Sequence, residues 1–169
     1  MTRDPGTAAQ AETFDVVVVG GGPAGATAAD DLACQGRKVL LLDRAGRIKP
    51  CGGAIPPRLI KDFAIPDSLL AARALSARMV SPADVKVDIP IEGGFVGMVD
   101  REHFDEWLRE RAASHGAQRR SGRFERLERD ADGTAVILYR PTDGDGSDTE
   151  GPLWSVRAKA VIGADGARS

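Results

Sequence analysis

The hydrophobic positions begin with a compact run. Residues 14–19 form a short, β-branched stretch, the pattern of a central parallel strand covered on both faces. Glycines follow, and then an alanine-rich stretch, 24–35, that favours helix by propensity. Gly36 is placed to end that helix, and residues 38–43, with Val39, Leu40, Leu41 and Leu42, predict a second buried strand. This is the opening of a β-α-β unit.

Beyond it the pattern loosens. Residues 44–76 look irregular, because Pro50, Pro56, Pro57 and Pro66 limit any helix to short pieces. Strands are expected around Val80, over 85–91 and over 95–99. Asp100 is suited to cap a helix starting at Arg101, with Phe104, Trp107, Leu108 and Ala112 on its apolar face. From residue 118 the pattern turns to strands, over 123–129, 134–140 and 154–159. The turn Asp132-Gly133 joins the first two, and the acidic loop 141–152 joins the second pair. Its Asp143, Asp145 and Asp148 miss the calcium-loop spacing, because no glycine sits at the required turn. Residues 160–163 are apolar and run into Ala164-Asp165-Gly166. No internal repeat is present.

Composition narrows the class. The 169 residues are 42% hydrophobic and 28% charged, with a formal net charge of −2. That suits one domain with a real core, residues 14–169, behind a flexible leader, 1–13. Acidic and basic residues are interleaved, so there is no electrostatic footprint for nucleic acid. Cys34 and Cys51 make neither a disulfide framework nor a zinc spacing, and no metal centre is expected. A reducing compartment is the simplest reading. The polar N-terminus lacks a secretory core, and no run approaches the ~20 apolar residues that span a bilayer. A cytoplasmic protein, free or bound to a membrane surface, is therefore expected.

The candidate chemistry starts at Gly20-Gly21-Gly22-Pro23-Ala24-Gly25. It fits G-x-G-x-x-G directly after a strand and directly before a helix. Gly20 would permit the tight turn, Gly22 the close approach of a pyrophosphate, and Gly25 the packing of helix on strand. The exposed N–H groups of the helix start, with Pro23 and Ala24 in its first turn, would meet the anion. Asp43 ends the second strand, 18 positions after Gly25, where an acid can accept hydrogen bonds from both ribose hydroxyls. Its charge disfavours a 2′-phosphate at this loop. FAD and NAD both remain.

Two later features favour FAD. Arg101, near the apolar face of its helix, can point inward at the helix N-terminus. A cation there opposes the helix dipole, so a bound anion or a carboxylate is expected to offset it. The second feature is Gly163-Ala164-Asp165-Gly166, a sharp turn after an apolar strand, where backbone and a carboxylate reach the ligand-binding edge of a sheet.

Together these three segments resemble the motifs of the FAD-containing monooxygenase and reductase superfamily. That resemblance implies an α/β, glutathione-reductase-type, Rossmann-like FAD-binding fold with an inserted three-stranded β-meander, incomplete at its C-terminus. It also implies that Arg101, Asp165 and Gly166 contact the ribityl or pyrophosphate part of FAD and that Arg44 lies near the adenine. The segment Lys49-Pro50-Cys51-Gly52-Gly53-Ala54-Ile55-Pro56-Pro57-Arg58-Leu59, with Gly97-Met98-Val99-Asp100-Arg101-Glu102-His103-Phe104-Asp105, resembles geranylgeranyl reductases of photosynthetic organisms. The likeness implies reduction of isolated double bonds in a geranylgeranyl group to give phytyl, in chlorophyll or bacteriochlorophyll biosynthesis. NADPH would supply the electrons, and the substrate would be geranylgeranyl diphosphate or a geranylgeranylated pigment. Contact with the surface of the photosynthetic membrane would follow from so lipid-like a substrate.

Gly52 and Gly53 would let backbone approach a flat flavin ring, with Ala54 beside them. Cys51 either touches the flavin edge or helps in proton delivery, or else is a small buried packing residue. Cys34 reads as structural, His103 and His115 as surface residues, and Phe104 and Trp107 as core. Members of the superfamily are longer than this chain, so a fragment that folds poorly or binds FAD weakly alone is expected. Two other readings stay open, an FAD-dependent aromatic hydroxylase and a non-catalytic FAD-binding fragment.

Overall fold

The computed structural model describes residues 12–44 and 51–166. In chain order the elements are β1 (Thr13–Val19), α1 (Pro23–Cys34), β2 (Val39–Asp43), β3 (Ala54–Ile55), α2 (Pro57–Asp62), a 3-10 turn (Asp67–Leu69), β4 (Leu70–Ala74) and β5 (Ser76–Val80). There follow β6 (Lys86–Pro90), β7 (Val96–Val99), α3 (Arg101–Ser114), β8 (Gln118–Arg129), β9 (Ala135–Pro141) and β10 (Trp154–Gly163). The described residues group into two compact units, one of residues 12–44 and 107–166 and one of residues 51–106.

The first unit is built on parallel pairing. β1 lies between β2 and β10, parallel to both, as a strand buried on both faces requires. Val16 through Val19 are buried. The polar member of the strand, Asp15, accepts from the Lys38 backbone N–H at 2.9 Å and from the Lys159 ammonium at 2.6 Å. Those contacts, Lys159 foremost, hold its carboxyl below the usual aspartate range.

Helix α1 buries Gly25, Ala26, Ala29 and Ala33, small residues that allow close approach to the sheet. It stops where Gly36 takes φ +75° and donates to the Ala33 carbonyl, while the Arg37 N–H reaches Leu32. That glycine stop is the one expected.

The meander is present but differs from the expected insertion. β8 pairs parallel with β2 over Gln118–Ser121 and antiparallel with β9 from Gly122 onward. β10 pairs antiparallel with β9 over Trp154–Ala158 and parallel with β1 up to Gly163. Each long strand thus changes partner part-way along, and the pairings close into a barrel, β1-β10-β9-β8-β2. Residues 154–159 and 160–163, read as separate stretches, are one strand. Gly122 stands where β8 changes partner, and a Cβ there would meet the Tyr139 ring at 2.5 Å. Phe14, Val17, Leu40, Leu42, Ile137, Tyr139 and Val156 fill the core, each large apolar side chain contributing about 1.5–3 kcal/mol on burial.

Glu12 and Thr13 already belong to this unit, although the expected leader included them. Glu12 pairs with Lys38 and Arg120, and its carbonyl accepts from the Arg157 N–H. The rest of the leader, residues 1–11, lies outside the described residues, as do Lys49 and Pro50 of the segment cited above.

In the second unit, β7 lies between β3 and β4, antiparallel to both, and β5 and β6 form a separate hairpin. Strand β4 was not expected, since its Leu-Ala-Ala-Arg-Ala sequence favours helix and carries no strand alternation. The short α2 agrees with the proline limit. Asp100 caps α3 as expected, its carboxylate accepting from the Glu102 N–H at 2.9 Å. Phe104, Leu108 and Ala112 are buried along that helix. No helix of the described residues is long and apolar enough to cross a membrane.

Candidate nucleotide-binding site

Parallel pairing of β1 with β10 brings their C-terminal ends together, with Val19 opposite Gly163. The chain leaves both strands at the same edge. Ala164 donates to the Val19 carbonyl at 2.7 Å, and Gly20 donates to Leu42 at 2.8 Å. Gly20 has φ +106°, and a Cβ there would lie 2.6 Å from the backbone of Ala164 and Asp165. The glycine loop and the Asp165-Gly166 turn therefore form one packed corner.

Gly25 fills the next gap, since a Cβ on it would fall 1.8 Å from the Gly20 carbonyl oxygen. This is the close helix–strand packing expected of the third glycine. Gly22 differs, because nothing lies within 4 Å of the position its Cβ would take. As N-cap of α1 it supplies no side-chain acceptor, and Pro23 follows at the first helical position. The helix start is thus open on the side where backbone N–H groups and dipole attract an anion. A pyrophosphate fits that cradle, and a side chain at Gly22 would fill it.

Gly21 had been given no part in the loop. A Cβ there would meet the Asp43 side chain at 2.8 Å, and its carbonyl accepts from Arg109 Nη1 at 3.1 Å. The same Arg109 nitrogen lies 3.6 Å from Asp43 Oδ2. Arg109 thus joins the loop to the acid at the end of β2. Sequence reasoning missed it, because 88 positions separate it from Gly21 and no local pattern marks it. Arg44 donates through Nε to the Gly146 carbonyl at 2.8 Å, which ties it to the acidic loop.

The remaining site residues lie in the second unit. Arg101 makes a two-point pair with Asp105, both contacts at 2.8 Å. Asp105 is the carboxylate expected to offset a cation at this helix start, supplied one turn along the same helix. The pair is mostly buried, and Asp105 first of all holds the Arg101 guanidinium more firmly protonated.

Cys51 is exposed, which removes the buried-packing reading. The Gly53 N–H donates to its sulfur at 3.5 Å, and Arg101 also hydrogen-bonds it. These two donors, Gly53 first, lower the thiol below the usual cysteine range. The two glycines beside it divide in role. Gly52 faces open space, whereas Gly53 has φ +67° and a Cβ on it would lie 2.0 Å from the Val99 carbonyl oxygen. Gly53 is thus demanded by packing on β7, and Ala54 pairs with Met98 of that strand.

Among the other candidates, Cys34 is exposed rather than a packed structural residue. His103 lies at the surface near Asp100. His115 does more than face solvent, with its Nδ1 2.5 Å from Asp30 Oδ1. Phe104 is core, and Trp107 is partly exposed beneath the Arg111 guanidinium.

The open helix start and the acid at the end of β2 suit a dinucleotide, and their geometry alone does not separate FAD from NAD. Residues 13–169 match the family model described as FAD binding domain. The chain belongs to this FAD-binding domain family. The FAD-binding domain is 60% identical over 156 residues to a geranylgeranyl diphosphate reductase of Rhodobacter capsulatus, covering 92% of this chain and 38% of that protein. It is 39% identical over 163 residues to a chloroplastic geranylgeranyl diphosphate reductase of Oryza sativa subsp. japonica, covering 91% of this chain and 35% of that protein.

Among solved structures, a geranylgeranyl bacteriochlorophyll reductase-like protein from Thermoplasma acidophilum matches with a TM-score of 0.78 and 28% identity. That match covers 92% of this chain and 40% of the other. The FAD-binding domain thus spans 35–40% of the length of these relatives. The expected α/β FAD-binding fold and the expected likeness to geranylgeranyl reductases are both found.

Proposed function

We propose that this chain is the FAD-binding part of an NADPH-using reductase that saturates isolated double bonds of a geranylgeranyl group. The phytyl group so formed would serve chlorophyll or bacteriochlorophyll biosynthesis. The observation that carries this reading is the 60% identity to a geranylgeranyl diphosphate reductase over nearly the whole chain.

The residues have separable tasks in it. Gly20, Gly22, Pro23, Ala24 and Gly25 would seat the pyrophosphate, with the open position at Gly22 as the point of approach. Asp43 would accept from the adenosine ribose, and Arg109 would hold that carboxylate beside the loop. Arg44 belongs near the adenine, and Asp165, Gly166 and Arg101 with the ribityl and pyrophosphate part. Bound FAD supplies hydride transfer, for which NADPH is the electron source. Cys51 holds a proton at Sγ beside two donors that stabilise its thiolate, so it releases that proton more readily than an ordinary thiol. Gly52 and Ala54 leave the backbone around it accessible. The isoprenoid is too apolar to partition well into water, which favours work at the surface of the photosynthetic membrane.

The test is product analysis by mass spectrometry after incubation with NADPH and either geranylgeranyl diphosphate or geranylgeranylated pigment. Products heavier by two hydrogens per double bond support the reading. Hydroxylation of phenolic substrates, with the isoprenoid untouched, would point to an aromatic hydroxylase instead. FAD binding with neither conversion would leave a non-catalytic binding module.

A further inference from the structure

Three residues outside the nucleotide site share a corner of the first unit. Asp30 and Cys34 are four positions apart on α1 and so lie on one face. His115 follows the last turn of α3. One donor atom from each, a carboxylate oxygen, a thiol sulfur and a ring nitrogen, all lie within 4.8 Å of one another. Asp30 is 6% exposed. Its Oδ1 is 2.5 Å from His115 Nδ1, and its Oδ2 is 2.9 Å from Arg111 Nε.

We propose that Asp30, Cys34 and His115 form a binding site for a divalent transition ion of the zinc class. A buried aspartate satisfied by Arg111 and His115 would account for two of the residues without any ion. It does not account for a thiol on the same face within reach of both. Sulfur, nitrogen and oxygen donors together suit a borderline-soft ion, while one carboxylate with a thiol suits neither calcium nor magnesium. With zinc bonds of about 2.0–2.1 Å to nitrogen and oxygen and about 2.3 Å to sulfur, tetrahedral ligand atoms stand roughly 3.3–3.6 Å apart. Binding asks only a side-chain adjustment: the Asp30 Oδ1–His115 Nδ1 pair opens from 2.5 Å while the most distant donors close from at most 4.8 Å, and Cys34 and His115 are both exposed.

Asp30 is the fixed member. Arg111 holds Oδ2 and leaves Oδ1 toward the ring, the outer contact that orients a ligating carboxylate. A thiolate and a carboxylate offset the divalent charge, Arg111 leaving one positive charge beside the cluster, and the thiol proton leaves to solvent on binding. The exposed side of the cluster leaves a fourth position to water. The expectation of no metal centre rested on cysteine spacing, which cannot register a histidine 81 positions further along.

The probe is cobalt(II), added to this chain after chelator treatment and with Cys51→Ser, so that of its two thiols Cys34 remains. A thiolate-to-cobalt absorption band at one equivalent is expected, displaced stoichiometrically by zinc. Cys34→Ser should abolish the band, and His115→Gln should weaken binding at least tenfold. Because both residues are exposed, circular dichroism should match the parent. Zinc should also slow iodoacetamide alkylation of Cys34 in protein with native Cys51, and His115→Gln should remove that protection. A band that survives Cys34→Ser, the absence of any band at micromolar cobalt, or alkylation unaffected by zinc would overturn the proposal.

Discussion

Gly22 and Gly25 belong to one motif, yet the structure separates what each is for, and alanine at each position tests the separation. At Gly25 the new methyl would lie 1.8 Å from the Gly20 carbonyl oxygen, far inside the 3.4 Å at which ordinary contact begins. Overpacking against side chains costs about 1–3 kcal/mol, and a backbone neighbour yields less, so about 3 kcal/mol applies. Alanine recovers about 1 kcal/mol of helix propensity. The net loss of about 2 kcal/mol lowers Tm by about 4–8 °C.

At Gly22 the methyl meets nothing within 4 Å, and φ is −71°. Alanine is a poorer N-cap by about 0.5–1 kcal/mol, offset by about 0.4–1 kcal/mol from a stiffer unfolded chain. Tm should move by less than about 2 °C. The same methyl occupies the approach of the pyrophosphate, however. Losing one charge-assisted contact of about 1.5–3 kcal/mol raises the FAD Kd about 10- to 100-fold. Differential scanning fluorimetry without ligand, and flavin fluorescence titration with it, read the two effects separately. A Gly22→Ala protein that binds FAD as tightly as the parent, or a Gly25→Ala protein with unchanged Tm, would refute the assignment.

Other substitutions test the remaining contacts. Asp43→Asn should weaken FAD about tenfold, the low end for a hydrogen bond to a charged group, and leave FMN, which lacks the adenosine, unaffected. Comparative titration of the two flavins checks it. Gly53→Ala should destabilise the protein by about 2–3 kcal/mol through contact with the Val99 carbonyl at positive φ, whereas Gly52→Ala, which faces open space, should melt like the parent. Cys51 should react with iodoacetamide from a lower pH than an ordinary thiol, because Gly53 and Arg101 favour its thiolate. Arg101→Gln should move the midpoint of that profile upward, as mass spectrometry of the labelled peptide would show. With the folded-state pKa depressed, the linked stabilisation is complete above the unfolded thiol pKa and is lost as pH falls through the folded value.

What sequence reading recovered was local. The β-branched run of β1, the glycine stop after α1, the Asp100 cap and the Asp132-Gly133 turn each declare themselves within a few residues, and each is in place. The Asp132 carboxylate accepts from the Thr134 N–H at 2.8 Å in that turn. Missed contacts depend on distant partners. Gly21 must be small because Asp43 arrives beside it, Arg109 reaches the loop from another helix, and Gly122 leaves room for Tyr139. Strand β4 was missed for the converse reason, since pairing with β7 overrides a sequence that locally prefers helix. Offsetting the Arg101 charge was foreseen as a need, but Asp105 was not named, although a partner four positions along a helix is open to sequence reasoning.

The first and last motifs of the chain are better understood as one structure than as two signals. Parallel register sets Val19 opposite Gly163, so residues 20 and 164–165 must leave the sheet side by side. There is room for this only because Gly20 lacks a Cβ and takes a positive φ. The requirement for glycine at position 20 therefore comes from the turn that follows β10 as much as from the loop's own curvature. It follows that the loop is correctly shaped only once β10 has docked on β1. That strand in turn reaches β1 by continuing out of the meander. The meander thus carries no candidate nucleotide contact of its own, yet it delivers the strand on which the anion cradle rests. Changes in β9 or in the first half of β10 should consequently reach FAD affinity through the loop geometry rather than through any direct contact.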